Sequence, residues 1–172
     1  MTDKKRRLTL ALILQDQQAL LLNRYKKPYI GQWNGIGGKI EAGETPELGV
    51  QREIFEETGI AKDAYQLVNN GYMEWFVSGV YQNRIYLFTA RLNTDYQLKT
   101  PVNMREGLLN LFPLDWVLQP QNYGVIADLK AAYPYMIKNE AHRFVTDFSG
   151  DQLVKFAIDD TDFQNEAEVP LL

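Results

Sequence analysis

The chain has 172 residues, 45% of them hydrophobic and 12% aromatic, which is enough apolar material for one compact domain spanning 1–172. Its 18 basic and 22 acidic side chains leave a net charge of −4, which argues against a nucleic-acid polymer as partner. The absence of cysteine and the presence of one histidine, His142, exclude disulfides, thiolate chemistry and the usual zinc sites. A catalytic metal must then be a hard, oxygen-liganded cation such as Mg²⁺ or Mn²⁺, and carboxylates are the residues to search.

At the N-terminus, Lys4-Lys5-Arg6-Arg7 followed by the apolar run 8–14 imitates a secretory leader. The run is short, Gln15-Asp16-Gln17-Gln18 follows it, and no small-residue cleavage pattern is present. No stretch is long enough to span a bilayer, so the expectation is a cytoplasmic protein without membrane contact. Residues 8–14 and 19–23 are apolar runs on either side of that polar turn and read as a hairpin of buried strands. Residues 25–38, rich in Lys, Pro, Gly and aromatics, have the composition of a functional loop.

Helix signals are complete between Thr45 and Gly59: Thr45 as N-cap, Pro46 at the first helical position, Glu47 in the first turn and Gly59 as the stop. Beyond it, residues 72–77, 84–92 and 109–112 read as strands and 125–133 as a helix. Residues 143–148 and 152–158 flank Ser149-Gly150-Asp151 as a C-terminal hairpin spanning 143–158, followed by an acidic, frayed tail over 159–172. Many strands with two helices point to an α+β fold with helices covering a sheet. His142 has no evident carboxylate partner in the sequence and receives no role.

On the helix from Pro46, Glu53, Glu56 and Glu57 stand at i, i+3 and i+4 and share one face, with Gly49 one turn earlier on the same face. Such a face can be merely solvated. Here Leu48 and Phe55 on one flank, and Val50 and Ile54 on the other, suggest a helix packed on two sides whose acids line a cleft. Mutually repelling carboxylates are neutralised by a divalent cation, and Arg52 can hold one of them in place.

Gly38, Glu44, Arg52-Glu53-Ile54, Glu56-Glu57 and Gly59-Ile60 stand at the spacings of the Nudix hydrolase signature, which the segment 38–60 resembles at every fixed position. The resemblance implies an α/β/α sandwich with a mixed sheet between helices, and Mg²⁺-dependent hydrolysis of a nucleoside diphosphate linked to another group. It implies Gly38, Glu53, Glu56, Glu57 and Glu106 as the metal set, Glu44 as an accessory acid and Arg52 as structural partner. Either Glu53 or Glu56 could relay the proton.

The run from Trp33 through Asn34 to Lys39 is similar to the MutT-like branch, whose substrates are oxidised purine nucleoside triphosphates. It implies Trp33, Asn34 and Lys39 as substrate contacts. Where some relatives place paired acids, this chain has Gln121-Asn122, whose amides could still bond a purine edge. Trp33, Tyr72, Trp75, Phe76 and Trp116 could stack on a base. The remaining alternatives are hydrolysis of ADP-ribose, a dinucleotide or a nucleotide sugar, or a catalytically silent nucleotide-binding module, and the chain is expected to act as a monomer or homodimer.

Overall fold

A computed structural model describes residues 7–164. The apolar run 8–14 becomes the middle of strand β1 (Arg7–Gln15), and Ala11, Leu12 and Ile13 are wholly buried. β1 turns through Asp16, at φ 52°, into the antiparallel β2 (Gln18–Arg24), with Ile13 opposite Leu20. Next come β3 (Trp33–Asn34), α1 (Pro46–Thr58), a 3-10 turn at Lys62–Ala64, β4 (Tyr65–Val77) and β5 (Val80–Leu92). β6 (Val102–Asn103), β7 (Gly107–Pro113), α2 (Leu114–Val117), α3 (Ala127–Ile137), β8 (His142–Ser149) and β9 (Gln152–Ile158) complete the order.

The strands form one sheet in the order β6-β7-β2-β1-β5-β4-β8-β9, with β3 added on β2. The sheet is mixed, because β1 runs parallel to β5 and β4 runs parallel to β8, whereas the remaining named strand pairs are antiparallel. Alternation along β1 decides which face each side chain serves. Leu10, Leu12 and Leu14 pack with Leu129, Ala132, Tyr133 and Met136 of α3, while Ala11 and Ile13 pack with Val50 and Ile54 of α1. Helices therefore cover both faces, as the α/β/α expectation required. Among the described residues no helix is long and apolar enough to cross a membrane.

Three local expectations need correction. The helix expected at 125–133 starts later, because Val125 bridges Trp33 and the Ile126 N–H donates to the Trp33 carbonyl at 3.1 Å, so both residues serve the sheet. It then runs past Pro134 to Ile137. Leu48 and Phe55, expected to pack, are 54% and 58% exposed, so α1 is buried along its Val50 and Ile54 side only. The C-terminal region is tethered as far as it is described. Arg143 pairs with Asp159 at 2.7 Å, and Phe163 lies 5.7 Å from the Tyr72 ring; residues 165–172 of the expected tail, like Lys4 to Arg6, lie outside the described residues.

His142, given no partner by sequence proximity, bonds Asp160 at 2.8 Å through Nδ1 and Glu140 at 3.2 Å through Nε2. Burial acts to lower its pKa, but the two carboxylates together outweigh it and hold the imidazole above its ordinary value. A raised folded-state pKa gives stability that is fully present below the unfolded value of about 6.5 and is lost as pH rises through the folded value. Melting temperatures measured from pH 5.5 to 8 are therefore expected to show a wild-type advantage over His142→Gln at the acid end that fades toward alkaline pH. A difference independent of pH would refute the ion-pair account.

Candidate active site

The caps of α1 work as local sequence requires. Thr45 Oγ1 accepts from the Leu48 N–H at 3.1 Å, and Gly59, at φ 74°, turns its N–H back to the Phe55 carbonyl at 2.8 Å. The helix so fixed displays the three glutamates unequally. Glu57 is almost fully buried and accepts from the Gly37 N–H at 3.2 Å. The Glu53 side chain is 14% exposed and that of Glu56 is 56% exposed.

Arg52 stands among them as a hub. Its Nε donates to Glu44 Oε1 at 2.8 Å, Nη1 to Glu53 at 2.9 Å and Glu56 at 3.3 Å, and Nη2 to Glu44 Oε2 at 3.1 Å and the Lys39 carbonyl at 2.9 Å. Only a planar guanidinium presents donors in so many in-plane directions. The bond to Glu44 comes first in holding Arg52 charged, and the same bond keeps the Glu44 carboxyl below its usual range. Gly49 serves this loop: a side chain there would meet Glu44 Oε2 at 3.3 Å and Ile40, not an open approach to the acids.

A glycine segment lies across from the helix because the sheet splits there. The first half of β2 pairs with β1 and the second half with β3, and residues 35–39 run along the β1 edge. The Ala11 N–H donates to Ile36 at 2.6 Å and the Thr9 N–H to Gly38 at 2.8 Å. A Cβ on Gly37 would overlap the Thr9 carbonyl, and one on Gly38 would overlap the Glu53 carboxylate. These glycines let backbone reach both β1 and the acids.

Electrostatically the acids are strained by proximity. Burial raises the Glu53 pKa against the opposing pull of Arg52, and Glu57 is pushed up to about 7, first by burial and then by Glu53. Glu106, ahead of β7, also raises Glu57, and it pairs with Lys26 at 3.4 Å. Among the described residues no three acidic groups form a ready-made metal cage, since Arg52 occupies the space between Glu44, Glu53 and Glu56. The donor set nonetheless fits a hard divalent cation. It consists of oxygens, and Mg²⁺ binds through one or two carboxylates while keeping waters.

Beside the glycine segment lies a cavity of about 460 Å³. Its walls include Arg24, Lys27, Gly37, Gly38 and Lys39, together with Asn34, Trp75, Ile126 and Asp128. Asn34 was expected here; its Oδ1 accepts from the Gly35 N–H at 2.7 Å, which fixes the amide. Asn122 and Trp33 were expected here and do not line the cavity. The Asn122 amide is spent on its own loop, donating to the Trp116 carbonyl at 2.8 Å and accepting from Gly124, and the Trp33 ring packs edge-on against Phe112 in the core. Of the aromatic candidates, Trp75 lines it.

Asp128 is the residue that sequence reading missed. It is 4% exposed, and burial pushes its pKa up to about 6 against the backbone N–H of Leu129. A lone acid inside the apolar run Val125-Ile126-Ala127-Asp128-Leu129 was the available signal.

The NUDIX domain family matches residues 4–133, which contain both the carboxylate helix and this cavity's walls. The chain belongs to the NUDIX family. An oxidized purine nucleoside triphosphate hydrolase from Mus musculus is 36% identical over 109 residues, 63% of this chain and 67% of that protein. Its namesake from Danio rerio is 28% identical over 156 residues, 90% of this chain and 95% of the relative. The crystal structure of a mutator MutT protein from Bacillus halodurans matches with a TM-score of 0.69 at 26% identity, covering 90% of this chain and 97% of that one. This MutT-like Nudix chain is thus a hydrolase of phosphoanhydride bonds, in a family that works with divalent cations.

Proposed function

We propose that this Nudix hydrolase converts a purine nucleoside triphosphate, with an oxidised base preferred, to the monophosphate and pyrophosphate with Mg²⁺. The observation that carries the reading is one cavity whose walls include Asn34 and Asp128, the cations Arg24, Lys27 and Lys39, and Gly38, with the Glu53 carboxylate of α1 directly behind that glycine. The names of the mouse and zebrafish relatives support the oxidised purine.

In this reading Glu53, Glu56 and Glu57, with the Gly38 carbonyl and Glu106, would hold Mg²⁺, which when bound neutralises the diphosphate and lowers the pKa of water. Arg24, Lys27 and Lys39 meet the remaining phosphate charge, and the Arg52–Glu44 pair keeps the acids in register. Water is added across the α–β anhydride bond, which breaks to give the monophosphate and pyrophosphate. The Asn34 amide, with one oxygen already fixed by Gly35, keeps its NH₂ for the base, and the Asp128 carboxyl supplies the opposing partner. A site built to bond a polar edge rejects a base lacking it, because its own groups are left unpaired.

The test is turnover of 8-oxo-dGTP, dGTP, dCTP and ADP-ribose by the wild type and Asp128→Ala. Loss of an interaction to a buried acid is expected to lower kcat/KM for the purine substrates on the order of 10²-fold while leaving the poor rate on dCTP unchanged. An equal loss on all substrates would sink the base-reading role, and preference of the wild type for ADP-ribose would sink the triphosphate reading.

A further inference from the structure

Two asparagines of this chain are followed by glycine, in Asn34-Gly35 and Asn70-Gly71. A glycine in that position has no Cβ to hinder its main-chain nitrogen from reaching the side-chain carbonyl carbon of the asparagine before it. The fold treats the two pairs differently. Asn70 is wholly buried and its amide is spent, Nδ2 donating to the Glu140 carbonyl at 2.9 Å and Oδ1 accepting from Thr89 Oγ1 at 2.7 Å. The Gly71 N–H is turned away from it, to Asn69 Oδ1 at 2.7 Å.

Asn34 is arranged the other way. The Gly35 N–H donates to Asn34 Oδ1 at 2.7 Å, so the nitrogen already lies beside the carboxamide of its own neighbour. Rotation about χ2, a soft torsion in asparagine, presents the carbonyl carbon to the same nitrogen. Among the described residues none accepts a hydrogen bond from the Asn34 NH₂, and Asn34 lines the cavity of about 460 Å³, through which water reaches it. Packing also holds the dipeptide in place. A Cβ on residue 35 would stand 2.6 Å from the Ala11 carbonyl oxygen, so glycine is required where the chain runs along β1. The base contact in turn asks for an amide at 34.

We propose that Asn34 is a site of spontaneous deamidation, through which this active site ages. The Gly35 nitrogen gives its proton to water and adds to the Asn34 side-chain carbonyl carbon. The Asn34 C–NH₂ bond breaks, and the amide nitrogen takes up a proton and leaves as ammonia, closing a succinimide ring. Water then opens the ring at either carbonyl, giving aspartate or isoaspartate at 34. In sum water is consumed and ammonia released, with no oxidant or reductant. Either product exchanges the NH₂ donor for a carboxylate on a cavity wall that already carries Asp128. Isoaspartate also lengthens the main chain directly after the Leu22–Asn34 pairing of β2 with β3. The expected loss of activity rests on the purine triphosphate reading; the modification itself does not.

The experiment holds the full chain, folded, in mildly alkaline buffer over days and follows Asn34 and Asn70 by peptide mass spectrometry with an isoaspartyl assay. Turnover of 8-oxo-dGTP and dCTP is measured on the same samples. The mass gain of an amide-to-acid exchange is expected at Asn34, with isoaspartate among the products. Its rate should exceed that at Asn70 by on the order of tenfold or more, because the Asn70 amide must first leave Glu140 and Thr89. Turnover of 8-oxo-dGTP should fall in step with the unmodified fraction while the poor dCTP rate holds, and Asn34→Asp prepared directly should show the same pattern. An Asn34 that keeps its mass while a free peptide of residues 32–38 converts would overturn the proposal. So would equal conversion at Asn34 and Asn70, which reports unfolded chain. Conversion at Asn34 with 8-oxo-dGTP turnover unchanged would uphold the modification and overturn the base contact instead.

Discussion

Replacing Glu53 by Gln is expected to lower kcat on the order of 10³-fold, with KM and melting temperature little changed, because the substitution removes a charge used in the transition state rather than a packing element. The side chain keeps its shape, and an amide oxygen can still accept from Arg52 Nη1, now 2.9 Å from Glu53 Oε1. Burial already disfavours the charged form of Glu53 in the folded chain, so a neutral isostere does not weaken the fold. Turnover of 8-oxo-dGTP with saturating Mg²⁺, measured beside a thermal melt, checks both halves. Near wild-type turnover would remove Glu53 from the metal site, and a melt lowered by many degrees would mean that the residue is structural.

Arg52→Ala is expected to fail in the opposite way, losing stability as well as activity. The guanidinium satisfies Glu44, Glu53 and Glu56 together and ties the Lys39 carbonyl to α1. Removing it leaves partly buried carboxylates facing one another, which costs about 2–4 kcal/mol given their residual exposure. For a chain of this size that is a fall of roughly 5–15 °C in melting temperature. Activity should drop by roughly 10–100-fold, the range for a partner that orients metal ligands without contacting substrate. Added Mg²⁺ should recover part of the lost melting temperature, since a cation between the acids replaces the missing charge. Arg52→Lys should not restore the wild type, because one ammonium cannot span Glu44, Glu53 and Lys39 in a plane. An unchanged melt for Arg52→Ala would show that the acids are solvated and that the hub is incidental.

What the sequence determined by itself was whatever depends on neighbours a few positions apart. Thr45, Pro46 and Gly59 bound α1 through contacts within three or four residues, and the spacing of Glu53, Glu56 and Glu57 puts them on one face of any helix formed there. The β1–β2 and β8–β9 hairpins are local in the same sense, each closing over a short polar turn.

What only the tertiary structure decided was burial and partnership. Phe55 is as apolar as Ile54, yet one is 58% exposed and the other fully buried, because α1 meets β1 on one side only. Of the two tryptophans that could stack on a base, Trp75 lines the cavity and Trp33 packs on Phe112, the Asn122 amide is consumed within its loop, and Asp128 lines the cavity with Asn34. His142 finds Asp160 across the C-terminal hairpin, 18 positions along the chain. Each outcome follows from a sheet whose order sets β1 between β2 and β5, and β4 between β5 and β8. That order is a property of pairings distant in sequence, whose energies come from long-range packing, so neither spacing nor propensity along the chain encodes which side chains it encloses.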